Sequence, residues 1–144
     1  MNRALVIGYG NTLRGDDGAG IRAAERLAGR FPGVDVVTAH QLQPELAETI
    51  SHYARVFFLD ASAEASDIRS FVLTPAAAHV PGVSHDHSPE ALLELCQKLY
   101  GRVPERTFLI AIPGQTFDLS EHLSAFTEKK IERAIEEVGR YLMS

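Results

Sequence analysis

Apolar runs of strand length alternate along this chain with segments of helical periodicity, a pattern met by βαβ units on a mostly parallel sheet and by few other arrangements. The first run, Ala4–Gly8 (ALVIG), is continuously apolar and suited to burial on both faces of a sheet. A helix is expected from Asp17 to Arg30, with Ile21, Ala24, Leu27 and Ala28 on one stripe, closed by Pro32 and Gly33. Val34–Thr38 reads as a second strand, Pro44–His52 as a short helix opened by its proline, and Arg55–Asp60 (RVFFLD) as a third strand. Ser70–Thr74 fits a short antiparallel edge strand, because its connection from Asp60 leaves too little room for a helix. Ser88, Pro89 and Glu90 have the chemistry of a helix start, and the stripe Leu92, Leu95, Cys96, Leu99 runs from them to Gly101. Thr107–Ile112 is a further buried strand stopped by Pro113-Gly114, and Thr127–Leu142 a final helix carrying Ile131, Ile135, Val138 and Leu142. The expected fold is an α/β three-layer sandwich. It has a mostly parallel twisted sheet of about five strands, helices on both faces and one antiparallel edge strand.

Composition narrows the functional classes. The 144 residues suit one domain spanning 1–144, with no repeat, linker or low-complexity segment. A domain of this size buries about 70% of its unfolded surface, so it needs no structural metal, and a metal site in it would serve function. The net charge of −5 leaves no basic footprint for nucleic acid or an anionic membrane. Cys96 is the one cysteine, which rules out an internal disulfide and a Cys-rich zinc site, and its place in an apolar stripe reads as core packing. The run in MNRALVIGYG is too short for a secretory signal, and no stretch approaches the ~18 apolar residues of a membrane span. A soluble, cytoplasmic protein is expected.

Ligands of open α/β sheets bind beyond the carboxyl ends of strands, where the strand order reverses. Short right-handed crossovers put the second strand on one side of the first and the third on the other. The loop Gly8–Gly20 (GYGNTLRGDDGAG) then lies beside Asp60, and the His-rich loop Ala76–Ser88 can close over both. A dinucleotide fingerprint fails there, because its third glycine would fall on Leu13 and an acidic pair would repel a pyrophosphate. Asp16 and Asp17 open a helix; capping accounts for one of them, leaving the other to face the crevice. Asp60 ends the apolar run Val56–Leu59, where a carboxylate needs a cation or hydrogen-bond donors. His85, Asp86 and His87, with His79 upstream, supply imidazoles. Two carboxylates and an imidazole in one cleft suit a borderline divalent ion such as Zn²⁺ or Ni²⁺, whereas carboxylates alone would favour Mg²⁺ or Ca²⁺. Asp60-Ala61-Ser62 lacks a nucleophile elbow, which disfavours a Ser hydrolase, and His40, His52 and His122 have no evident partner.

At these residues the sequence resembles the maturation endopeptidases of [NiFe]-hydrogenases. LVIGYGNTLRGDDGAGIRAAERL looks like that family's N-terminal signature, a strand followed by G-x-G-N-x-L, an acidic pair and a helix. VFFLDAS matches its second acidic element, and SHDHSPEALL its histidine followed by a helix. The similarity extends through TFLIAIPG and the last helix. The segment HQLQPELAE from His40 departs from it, since the best-known members are glycine-rich there, and looks like a different subgroup.

The resemblance implies a protease that removes a C-terminal extension from the precursor of the hydrogenase large subunit once nickel has been inserted. Carried over residue by residue, the metal-binding acid of the first motif falls on Asp17, where the family often has Glu. The second ligand falls on Asp60 and the histidine on His85, with His87 as a reserve ligand. These three ligands, which are also the expected catalytic residues, would contact nickel supplied by the substrate's own active site, and zinc or cadmium could occupy them in vitro. The metal would serve recognition, or act as a Lewis acid on the scissile carbonyl or on water. Asp16 would support the loop and Asn11 orient it. A monomer that works on this one protein partner, away from nucleic acid and membrane, is the expectation. The alternatives are a non-enzymatic chaperone or adaptor recognising the same nickel site, and a nucleotide-binding enzyme.

Overall fold

The computed structural model describes residues 3–75 and 88–144. Its elements are β1 (Ala4–Tyr9), a 3-10 turn (Gly15–Gly18), α1 (Ala19–Leu27), β2 (Val34–Ala39), α2 (Leu46–Ile50), β3 (Arg55–Ser62), β4 (Arg69–Leu73), α3 (Pro89–Tyr100), β5 (Arg106–Pro113) and α4 (Ala125–Leu142). They form a five-stranded sheet in the order β2-β1-β3-β5-β4, parallel except for the β4–β5 pair at the edge. The α/β sandwich with an antiparallel edge is therefore borne out.

The apolar runs behave as doubly buried strands. Leu5 and Ile7 of β1 pack with Val56 and Phe58 of β3 against α2 and α3. Ala4, Val6, Phe57 and Leu59 face the other way, against α1 and α4. Helical layers thus lie on both faces of the sheet. Ser88 caps α3 through its hydroxyl, which accepts from Ala91 N at 3.1 Å, and Gly101 ends that helix in the left-handed region. Among the described residues no helix is long and apolar enough to cross a membrane.

Several details differ from expectation, among them that α2 spans only Leu46–Ile50. The segment after β1 begins as a 3-10 turn and becomes α-helical only at Ala19, and its buried face is Ala19, Gly20, Ala23, Ala24 and Leu27. Ile21 and Ala28 lie off that face, because glycine and alanine let α1 approach the sheet more closely than the larger side chains would. Leu99, expected on the buried stripe of α3, is exposed near the helix end, while Leu93 takes an inward place. α4 starts at Ala125, because Ser124 caps it by accepting from Thr127 N at 3.2 Å.

The close approach of α1 sets up the site. A Cβ at Gly20 would lie 2.1 Å from the Leu59 carbonyl oxygen, and one at Gly8 would lie 2.3 Å from the Gly20 carbonyl oxygen. Both obstacles are backbone, so no side chain can swing away. Gly20→Ala is expected to lift α1 off the sheet and cost about 3 kcal/mol. A melting temperature within a degree or two of the parent's, by thermal denaturation, would contradict this packing.

Candidate functional site

The strand order places β1 between β2 and β3, so the crevice where it reverses opens beyond the carboxyl ends of β1 and β3. The chain leaving β1 turns at Gly10, whose φ of +138° lies where side-chain-bearing residues are strained, and where a Cβ would meet the Asp17 carbonyl oxygen at 2.2 Å. Asp17 sits in the 3-10 turn, partly buried, and its Oδ2 accepts the Asn11 backbone N–H at 2.8 Å. The Asn11 side chain in turn accepts from Leu13 N at 2.9 Å. Asn11 thus shapes the loop and ties it to Asp17.

Asp60 reaches the same crevice from β3. The parallel register sets Ile7 beside Phe58 and Gly8 beside Leu59, so one residue further along Tyr9 and Asp60 are neighbours on the face that carries Ile7 and Phe58. Burial pushes the Asp60 carboxyl up to about 6, helped by the nearby Asp17 charge and opposed by hydrogen bonds from the Tyr9 hydroxyl and the Ala61 N–H. Burial also raises the Tyr9 hydroxyl far above its ordinary value, and the charges of Asp60 and Glu90 add to that. Tyr9 is a neighbour of Asp60 that sequence reasoning passed over. Only the register between β1 and β3 shows where it stands.

Asp16 has a different task from the helix cap expected of one acid in the pair. It makes no cap to its own turn. Fully buried, it accepts Gln115 N at 2.8 Å, Thr116 N at 3.0 Å, Ser124 N at 2.7 Å and the Ser124 hydroxyl at 2.7 Å. It therefore staples the loop after β1 to the loop between β5 and α4. Burial pushes its carboxyl up, but the donors from Gln115, Ser124 and Thr116 outweigh this and bring it down to about 2. The supporting role expected for Asp16 is met, by donors about a hundred residues away in sequence.

Chemically, Asp17 and Asp60 are two carboxylates close enough that the charge of Asp17 favours the protonated form of Asp60. A divalent cation would relieve both, so the donor set fits a metal. Among the described residues no three His, Cys, Asp or Glu side chains are grouped to hold an ion by themselves. His85, like His79, Asp86 and His87, lies outside the described residues. A metal bound here competes with the proton on Asp60, whose carboxyl stands near 6. Zn²⁺ or Cd²⁺ affinity, measured by calorimetry between pH 5 and 7.5, is therefore expected to fall as pH drops through 6, by up to about tenfold per pH unit. A flat profile would remove Asp60 from the ligand set.

Elsewhere, Cys96 is buried as expected, its thiol donating to the Arg102 carbonyl at 3.0 Å. His52, expected to be alone, has the Arg102 guanidinium 3.3 Å from its Nδ1. A cleft of about 850 Å³ opens at the amino ends of the strands, lined by Phe31, Val34, Ile135 and Leu142. It holds no paired carboxylates and lies at the opposite end of the sheet from Asp17 and Asp60.

No protein-family model matches the chain, and no curated protein matches it in sequence. Solved structures do. The hydrogenase maturating endopeptidase HybD from E. coli superimposes with a TM-score of 0.80 at 21% identity, covering 98% of this chain and 92% of the other. The [NiFe] hydrogenase maturation protease HybD from Thermococcus kodakarensis gives 0.74 at 23% identity, covering 96% and 98%. The hydrogenase 2 maturation peptidase from Thaumarchaeota archaeon SCGC_AB-539-E09 gives 0.72 at 25% identity, covering 98% of each chain. The resemblance first carried by one long motif and two short ones is thus met in three dimensions, and over nearly its whole length the chain has the fold of the hydrogenase maturation endopeptidases.

Proposed function

We propose that the protein is a metal-dependent endopeptidase that removes a C-terminal extension from the nickel-loaded precursor of a [NiFe]-hydrogenase large subunit. The observation that carries this reading is the pairing of Asp17 and Asp60 at the reversal of strand order, in a fold shared with named maturation endopeptidases. The substrate's nickel is held by Asp17, Asp60 and His85, with His87 in reserve. Gripping the metal that only a mature active site contains makes cutting conditional on nickel insertion. The same grip sets a Lewis acid beside the scissile carbonyl or the attacking water. Zinc or cadmium takes the same ligands in vitro. The protein works as a cytoplasmic monomer, and its acidic surface suits a protein substrate and not nucleic acid.

The direct test is incubation of the purified protein with nickel-loaded and nickel-free precursor, followed by intact-mass spectrometry. A mass loss at the C-terminus confined to the nickel-loaded form is expected. Tight binding of the loaded precursor without mass loss would instead identify a non-enzymatic adaptor, and cutting that ignores nickel would overturn the recognition role.

A further inference from the structure

We propose that Tyr9 is a positioning residue for this site, its hydroxyl holding the Asp60 carboxylate in the orientation in which that carboxylate meets the metal. The proposal rests on the reading above, in which Asp60 is a ligand.

The strand register brings the two residues together. With Gly8 beside Leu59 in the parallel ladder, Tyr9 and Asp60 are the next cross-strand neighbours, and both project onto the face of Ile7 and Phe58. The ring has little freedom there. It stands edge-on to the fully buried Phe58 ring, with centroids 6.4 Å apart and planes at 86°. The strand is tied down just beyond it, where the Gly10 N–H donates to the Ala39 carbonyl at 3.2 Å. Packed against Phe58 beside β3, the ring brings its hydroxyl to the side of Asp60, whose carboxylate is the acceptor next to it.

The choice of a phenol is informative. Packing against Phe58 would be served as well by phenylalanine, which would spare a hydroxyl from burial among the charges of Asp60 and Glu90. A lysine or arginine could also orient Asp60, but it would cancel the charge that draws a cation. The tyrosine hydroxyl is a neutral donor. It engages part of the carboxylate, whose two oxygens offer about four lone-pair sites, and leaves the rest and the full negative charge to the metal. The Ala61 N–H is a second donor to the same group. Asp60 is thereby held before the substrate arrives, which spares the entropy of ordering it on binding.

The test titrates Zn²⁺ and Cd²⁺ into the full-length parent, Tyr9→Phe and Tyr9→Leu by calorimetry at pH 7.5, beside thermal denaturation of each. Tyr9→Phe keeps the ring, so its melting temperature is expected to stay within about 2 °C of the parent's, while metal affinity falls about 10- to 100-fold. Tyr9→Leu should lose affinity and stability together, separating the hydroxyl from the ring. Parent-like affinity in Tyr9→Phe, with the parent binding metal, would overturn the positioning role and leave the proposed function standing. A parent that binds neither ion and cuts no precursor would overturn that function, and Tyr9's part in it.

Discussion

Asp60→Asn is expected to abolish processing of the nickel-loaded precursor, by about 10³-fold or more in rate, in a protein that folds at least as well as the parent. The two halves of this expectation have one cause. Burial lifts the folded-state carboxyl to about 6, above its value in the unfolded chain. Below about pH 4 the group is protonated in both states and costs nothing; as pH rises through 6 the folded protein must hold a charge in a desolvated cleft, and stability falls. Asparagine keeps the shape, still accepts from Tyr9 and Ala61, and removes that charge, so at neutral pH the variant should melt no lower than the parent. It also removes the negative ligand, and a neutral amide is a poor donor to a divalent ion. Asp17→Asn should behave alike in processing, as should His85→Ala, with His87→Ala showing a smaller effect. Mass spectrometry of the precursor after incubation, read beside melting curves, separates chemistry from folding. Normal processing by Asp17→Asn, Asp60→Asn and His85→Ala together would refute the site.

The opposite pattern is expected one residue before Asp17. Asp16→Ala should cost about 3–5 kcal/mol and lower the melting temperature by roughly 10 °C, because it strands several donors that share one buried carboxylate. The loss would spread. Ser124, which bonds Asp16 through both its backbone N–H and its hydroxyl, is also the N-cap of α4, so the start of that helix depends on an acid at the other end of the chain. Here the sign of the pH dependence is reversed. The folded carboxyl sits near 2, below the ordinary carboxylate value near 4. Between the two the unfolded chain binds more protons, so the stabilisation is complete above about pH 4 and disappears as pH falls through 2. Denaturant titrations at pH 7, 4 and 2.5 should show the gap between parent and Asp16→Asn narrowing over the last interval. A gap unchanged at pH 2.5 would mean that the charge on Asp16 is not what holds the loops together.

These two aspartates also show how far the sequence can be read. The strand runs, the antiparallel edge, the Ser88 cap and the place of the crevice all follow from local pattern and crossover rules, because a doubly buried strand must be apolar throughout and a helix end must satisfy its own N–H groups. Asp16 was legible as a supporting group but not in its partners. The donors from Gln115, Thr116 and Ser124 reach it across roughly a hundred residues, and no local periodicity reports a contact of that range. The late start of α1 has a similar origin, since the acidic pair that looks like a helix opening is held in a 3-10 turn by those distant bonds.

By itself the sequence determined the class of the fold, the end of the sheet where the crevice opens and the acids that stand there, since these depend on which residues are apolar and where the chain turns. Tertiary structure decided which acid does what. Asp16 is spent on five donors and held near pKa 2, while Asp60 is left underprovided and raised to about 6, although both are carboxylates at strand or helix ends. The difference lies in solvation and in the number of N–H and O–H groups that packing brings within reach. Tyr9 is the same lesson in small: an unremarked position between two glycines until strand register sets its hydroxyl beside Asp60.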